Sequence, residues 1–158
     1  MAREDLTRVL DEAEARYEVL PHARTETALA EAEALGLAST DVAKTLVVST
    51  PEGYVRAVLP ASERIDFRKL REVRGGARKK EVHLASEDDL ARDYPEFDLG
   101  AVPPIGGARS DPVVVDSRLA ERESVVVEAG SHEESVRIET ADLLRLTDAV
   151  VADICETD

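Results

Sequence analysis

Lys44 stands directly before the apolar run Thr45–Val48 ("TLVV"). Lysine is rarely buried unless it is paired or has a task. The ammonium is therefore either a solvated charge at the start of a strand or a cation held at a pocket edge to meet a negative ligand. A second feature is the segment Asp98–Pro112, "DLGAVPPIGGARSDP", which holds Gly100, Pro103, Pro104, Gly106, Gly107 and Pro112. Such a bend is either a surface crossover or a wall where glycine lets a ligand approach peptide amides and proline stiffens the approach. A third is Ser131 beside His132 in "AGSHEES". There His132 is either an exposed loop histidine or a pocket-lining donor to water. The other histidines, His22 and His83, are scattered, and no serine–histidine–carboxylate order is visible. Metal-ligand spacing is absent as well, so no metal and no cofactor are expected. The single cysteine, Cys155, excludes an internal disulfide and fits a reducing cytoplasm.

The charge balance bears on partners. The 158 residues carry a formal charge of −14, and a uniformly acidic surface would repel nucleic acid. The charge is not uniform. Arg64–Lys80, "RIDFRKLREVRGGARKK", sets eight basic residues against Asp66 and Glu72, about +6, leaving about −20 elsewhere. This run is either a solvated helix face or a docking stripe for a phosphate backbone. Abundant Asp and Glu with only four lysines points to a salt-adapted chain or a GC-rich genome. No apolar run approaches the roughly 18 residues of a membrane span, and the acidic N-terminus lacks a signal-peptide core.

The elements that must position these residues follow from periodicity and punctuation. Residues 3–16 carry Leu6, Val9, Leu10 and Ala13 at helical spacing. "YEVL" reads as a strand. A helix follows with Thr25 as N-cap and Gly36 as its stop. "KTLVVSTPEGYVRAVLP" predicts a hairpin turning at Pro51-Glu52-Gly53 and closed by Pro60. Asp66 caps a helix ending at Gly75-Gly76, and Ser86 with Asp89 forms a capping box. "EVHLA", "PVVVD", "SVVVEA", "SVRIE" and "AVVADI" read as strands, with the helix "TADLLRLTD" before the last. Asp116 is expected to cap the segment after its strand. The sum is one domain over residues 1–158, of mixed α/β (α+β) class, with a curved, barrel-like mixed sheet flanked by helices.

In order, "VAKTLVV", "VLPASERIDFRKL", "HLASEDDL", "LGAVPPIGG", "PVVVDSRL", "EAGSHEESVRIETADLLRLT" and "VADI" resemble the YbaK/prolyl-tRNA-synthetase-associated editing domain family. The resemblance runs from His22 to Ile154, and it implies that family's mixed α/β fold. It implies further that Lys44 faces the substrate pocket and that Gly100, Ala101 and Gly106 belong to a pocket wall, Gly100 offering its amide to the ester. Ser131, with His132 beside it, would shape the amino-acid cavity. One position departs: Arg137 stands where some members carry an acidic residue. Chemistry through that carboxylate is therefore not expected.

The implied reaction is hydrolysis of an aminoacyl-tRNA ester in translation quality control. The ester is activated, so positioning and charge suffice, with water as nucleophile. The chain is too short to contain a synthetase, so a free-standing deacylase clearing a wrong small amino acid is expected, with any synthetase acting in trans. Arg68, Lys69, Arg71, Arg78, Lys79 and Lys80 are the candidate tRNA contacts. Two alternatives stay open at this point: a non-catalytic tRNA- or nucleotide-binding module, and a small-molecule esterase.

Overall fold

A computed structural model of the chain describes residues 2–75, 78 and 81–157. Lys79 and Lys80, two of the candidate tRNA contacts, lie outside the described residues, as does Gly76. In chain order the elements are α1 (Ala2–Glu12), β1 (Tyr17–Pro21), α2 (Ala28–Leu35), β2 (Ala43–Thr50), β3 (Gly53–Pro60), α3 (Phe67–Val73), β4 (His83–Leu84), α4 (Glu87–Asp93), β5 (Val113–Asp116), α5 (Ser117–Ala120), β6 (Ser124–Glu128), β7 (Glu134–Glu139), α6 (Thr140–Thr147) and β8 (Val150–Ala152).

Local chemistry sets the boundaries. Asp66 Oδ1 accepts from the amides of Arg68 and Lys69 at 2.9 and 3.2 Å, and Ser86 and Asp89 bond reciprocally, so α3 and α4 start where their caps stand. Gly36 ends α2 at φ 68°, a left-handed conformation that glycine adopts at no steric cost. The N-cap of α2 is Thr27, not Thr25: Thr27 Oγ1 accepts from Ala30 N, whereas the Thr25 amide is drawn to His132 O. Asp116, fully buried, accepts from the amides of Arg118 and Ile154. It thus caps α5 and ties β5 to the chain's last turn.

The strands form two open sheets, one of order β1-β7-β6 and one of order β4-β2-β3-β5-β8. This corrects the barrel-like expectation. A barrel requires hydrogen-bonded closure from edge to edge. Here the sheets meet only at an isolated parallel bridge, Val42–Val126, and neither is closed or curled among the described residues. The mixed α/β class stands. The two parallel pairs, β3–β5 and β5–β8, explain why β5 reads as an unbroken apolar run: both of its faces are covered.

Between the sheets lies the main core. Val58, Val113 and Val115 meet Val125, Val127, Val136 and Ile138, closed by Leu6 and Leu10 of α1 and Leu143 of α6. The opposite face of the five-stranded sheet packs Leu46, Val48 and Leu59 against Leu70 of α3 and Ile154. The opposite face of the three-stranded sheet packs Val126 against Ala28 and Ala32 of α2. Among the described residues no helix is long and apolar enough to cross a membrane.

One buried side chain fixes the glycine–proline bend. Arg56 of β3 donates from Nε to Asp111 Oδ2 at 3.1 Å, from Nη1 to Pro103 O at 3.0 Å and from Nη2 to Arg109 O at 3.2 Å. Its guanidinium lies 5.5 Å from the ring centroid of Tyr94, whose hydroxyl donates to the same Asp111 carboxylate at 2.5 Å. Burial and that carboxylate push the Tyr94 phenol well above its usual pKa. A planar fork can satisfy three acceptors at once, which a lysine ammonium in that plane cannot. Arg56→Ala is expected to cost about 3–5 kcal/mol, because it removes the fork and leaves the buried Asp111 carboxylate only Tyr94 and the looser Arg109 contact at 3.5 Å, and Arg56→Lys is expected to recover less than half of that. Urea denaturation midpoints at constant m-value measure both.

Candidate active site

Strands β2 and β6 run parallel at their single bridge and then part. The gap is a cleft of about 410 Å³, lined by Lys44, Thr45, Leu46 and Val47 of β2, Glu128 at the end of β6, Thr27, Ala28 and Leu29 at the start of α2, and Gly100 and Val102 of the bend. An adjoining hollow of about 610 Å³ shares Leu90 and Gly100 with it and adds Arg24, Glu26, Asp98, Leu99 and His132. Three of the chain's exposed large apolar residues sit on these walls: Leu29, Leu84 and Leu99. Exposed leucines gathered at one concavity mark a surface that meets a ligand.

Lys44 and Gly100 are brought to this one cleft. By strand alternation Lys44 shares a face with Leu46 and Val48, the face covered by α3. Among the described residues its ammonium has no ion pair or hydrogen-bond partner. Burial lowers its pKa from the ordinary lysine value, and Arg64 pushes the same way while Glu63 and Glu128 oppose. Gly100 has φ 81°, and its amide donates to no group among the described residues. A Cβ there would lie 3.7 Å from His132 Cε1, so space is available, but the backbone conformation disfavours any L side chain.

The remaining candidates are not all on the same wall. Ala101 is fully buried and its amide is spent on Asp98 O, so it lies behind the wall and not on it. Gly106 lines a separate small cavity of about 80 Å³ beside Arg56 and Arg109. Ser131 Oγ accepts from Glu133 N and closes the β6–β7 turn, away from the cleft lining. His132 is buried, so the exposed-loop alternative does not hold. Its Nε2 lies 2.5 Å from Leu99 O and its amide donates to Asp98 Oδ2. It borders the adjoining hollow and braces the bend from behind. Arg137 pairs with Glu18 at 3.1 Å and is no part of the cleft.

Of the basic run, Arg68 is exposed and pairs loosely with Glu72. Lys69 is engaged internally, donating to Asp153 and to Cys155 O at 2.9 and 2.7 Å. Arg71 flanks a hollow of about 250 Å³ at the far end of β2, and Arg78 is exposed. Cys155 is buried, and burial followed by the neighbouring Asp116 pushes its thiol up to about 12, unsuited to nucleophilic work.

Two carboxylates escaped the reading of the sequence. Glu128 and Ser135 are cross-strand partners on the α2 face of the small sheet, and Glu31 of α2 lies over them. Ser135 Oγ donates to Glu31 Oε2 and lies 2.9 Å from His22 Nε2. Burial raises the pKa of Glu31, and raises that of Glu128 well above the usual carboxylate range. The Glu31 carboxyl further raises Glu128, and Lys44 opposes this. A signal existed for both. Glu31 falls on the helical stripe Ala28–Ala32–Leu35, and Glu128 abuts "VVV", the same context that singled out Lys44.

The aminoacyl-tRNA editing domain family matches residues 22–146 of this chain. A protein of Enterococcus faecalis provisionally named Cys-tRNA(Pro)/Cys-tRNA(Cys) deacylase EbsC is 27% identical over 124 residues, covering 78% of this chain and 73% of that one. A solved structure titled only as a hypothetical protein is 25% identical with a TM-score of 0.86, over 97% of this chain and 100% of that one. Another, provisionally titled a trans-editing enzyme for prolyl tRNA synthetase, is 24% identical with a TM-score of 0.86, over 99% and 98%.

The raised carboxyls make a pH prediction. In the folded chain Glu128 retains a proton that the unfolded chain releases above about pH 4.5, the ordinary glutamate value. Its contribution is therefore fully present below that pH and is lost as pH rises through the folded value. Glu128→Gln is expected to raise Tm relative to wild type by a few degrees more at pH 8 than at pH 5. Calorimetry at the two pH values gives the comparison, and an equal difference at both would show that this carboxyl titrates normally.

Proposed function

The chain belongs to the aminoacyl-tRNA editing domain family, and from that premise we propose that it is a free-standing deacylase that hydrolyses the ester of tRNA mischarged with a small amino acid. The observation that carries the reading is the convergence of the unpaired Lys44 ammonium and the undonated Gly100 amide on one cleft. The deacylase name of the Enterococcus faecalis relative supports the same reaction class.

In this reading the 3′-terminal adenosine rests against the rim leucines, and Lys44 neutralises the ribose or phosphate end as a point charge. The Gly100 amide meets the ester carbonyl oxygen. Water attacks the carbonyl carbon, negative charge moves onto that oxygen, and the amide stabilises it in a water-poor site. The tetrahedral species then collapses: the C–O bond to the ribose breaks, the ribose hydroxyl takes up a proton, and the free amino acid leaves. No step calls on a metal or a covalent enzyme intermediate. The partial burial of Lys44 strengthens its field, since fewer waters screen it.

Docking of the tRNA falls to the basic helix α3. It covers the face of β2 that carries Lys44, with Arg68 exposed and Arg71 half-buried on it, and Arg78 beyond it is a further exposed cation. The internal engagement of Lys69 assigns it to holding α3 against the C-terminal turn. The charging synthetase acts as a separate partner in trans, and residues 1–158 act as one domain.

A panel of mischarged tRNAs, assayed at moderate and high salt, tests the reading. Wild type is expected to release at least one small amino acid. Lys44→Ala is expected to lower kcat/KM about 10²-fold with its melting curve unchanged. Replacing Arg68 and Arg71 with Glu is expected to raise KM several-fold and to flatten the salt dependence. Salt-sensitive tRNA association without turnover would make the chain a binding module. Turnover of simple amino-acid esters unaffected by those two changes would make it a small-molecule esterase.

A further inference from the structure

The peptide whose amide is free at the cleft is gripped from its other end. Leu99 O and Gly100 N–H belong to one peptide group, and no peptide among the described residues is cis, so the carbonyl and the amide point in opposite directions. The carbonyl oxygen lies 2.5 Å from His132 Nε2. A carbonyl can only accept, which assigns the ring proton to Nε2. Glu26 Oε2, 3.7 Å from the same nitrogen, is too distant to claim that proton. His132 and Leu99 border the adjoining hollow, whereas Gly100 borders both the hollow and the cleft. With its carbonyl drawn to the hollow side, the peptide turns its N–H toward the cleft.

We propose that His132 is a positioning residue for the hydrolytic step: its Nε2–H holds and polarises the Leu99–Gly100 peptide, which makes the Gly100 amide a stronger and better-aimed donor to the oxyanion. This rests on the deacylase reading above, and the ring itself touches neither ester nor attacking water. Two effects act together. A donor on the carbonyl oxygen draws electron density along the peptide, so the N–H of the same group becomes a stronger donor, as in any hydrogen-bond chain at low dielectric. The second effect is orientation. Gly100 has φ 81° and no side chain of its own to fix the peptide plane, and a Cβ built there would lie 3.7 Å from His132 Cε1, so the ring stands directly beside it. A donor oriented before the reaction costs no reorganisation when charge develops. The support is itself anchored. The His132 amide donates to Asp98 Oδ2 at 3.1 Å, and its carbonyl accepts from the Thr25 amide at 2.9 Å. Both bonds belong to the backbone or to Asp98 and survive replacement of the ring. Packing alone does not call for a histidine: Leu99 is 44% exposed, so water could serve its carbonyl, and an apolar ring would fill the space behind it.

The test uses the full chain and the mischarged tRNA that wild type clears fastest. His132→Phe fills the same space without a donor. His132→Gln offers an amide N–H at the reach of Nε2, and His132→Asn offers one only at the reach of Nδ1. His132→Phe and His132→Asn are expected to lower kcat about 10–10²-fold with KM within about twofold, a smaller loss than deleting an oxyanion donor outright. His132→Gln is expected to recover most of that loss. Affinity for a phosphonate analogue of the tetrahedral species is expected to fall in step with kcat, while a stable 3′-aminoacylamino-3′-deoxyadenosine binds equally to all four proteins. In backbone NMR of the free protein, the Leu99 carbonyl-carbon and Gly100 amide-nitrogen resonances are expected to match wild type more closely in His132→Gln than in His132→Asn, two variants that both lack a ring. Equal losses in those two variants, or a rise in KM with kcat unchanged, would overturn the proposal and leave the deacylase reading intact. No turnover of any ester by wild type would end the deacylase reading. The role of His132 then survives if the two resonances and the phosphonate affinity still separate His132→Gln from His132→Asn, and falls with that reading if they do not.

Discussion

Everything that gives this chain a site follows from how little its two sheets share. They are pressed together by one apolar core, yet among the described residues their backbones are joined by a single bridge at Val42–Val126. Beyond that point β2 is committed to β3 and β6 to β7. The backbone amides of strands are obligate hydrogen bonders, so two such sheets either zip further or separate. They separate, and the opening wedge is where Lys44, Thr45 and Glu128 come to lie.

That placement gives the cleft its electrical character. Outside, the surface is strongly acidic and screened by solvent. Within, the Lys44 ammonium faces the Glu128 carboxyl, whose ionisation is suppressed by burial and by the neighbouring Glu31. Burial thus mutes the charge of that carboxyl. In the proposed reading, an acidic protein would then present Lys44 to a polyanion, and the basic helix α3 on the same face of β2 would extend that territory. The separation of sign between rim and surface is a product of burial, not of composition.

The sequence was legible wherever the governing physics is local. Asp66, Ser86 with Asp89, and Gly36 announce helix ends through bonds made within a few residues. The hairpin and the buried run of β5 were readable for the same reason. Thr25 misled because its amide is claimed by His132, more than a hundred residues away. The barrel expectation failed because closure depends on where two strands stop pairing, which no periodicity records. In the site, Lys44 stood out as a rare lysine before an apolar run. Glu31 and Glu128 did not, because they are hidden among 34 acidic residues, most of them exposed. Their opposition to Ser135 is a matter of strand register, set by packing. Ala101 and Gly106 share a bend with Gly100, but a peptide turn points successive amides in different directions.

The Arg56 fork has a kinetic corollary. By gripping Pro103, Arg109 and Asp111 from inside the protein, it makes the glycine–proline segment part of the folded scaffold. Loops that serve catalysis often have to close before chemistry begins, and that motion then limits turnover. Here the peptide dipole at Gly100 is set when the domain folds, so under the proposed deacylase reading an arriving ester would find it already oriented. In that reading the domain works as a mould cast in advance, and its tempo would be left to encounter with the nucleic acid and to the bond being broken.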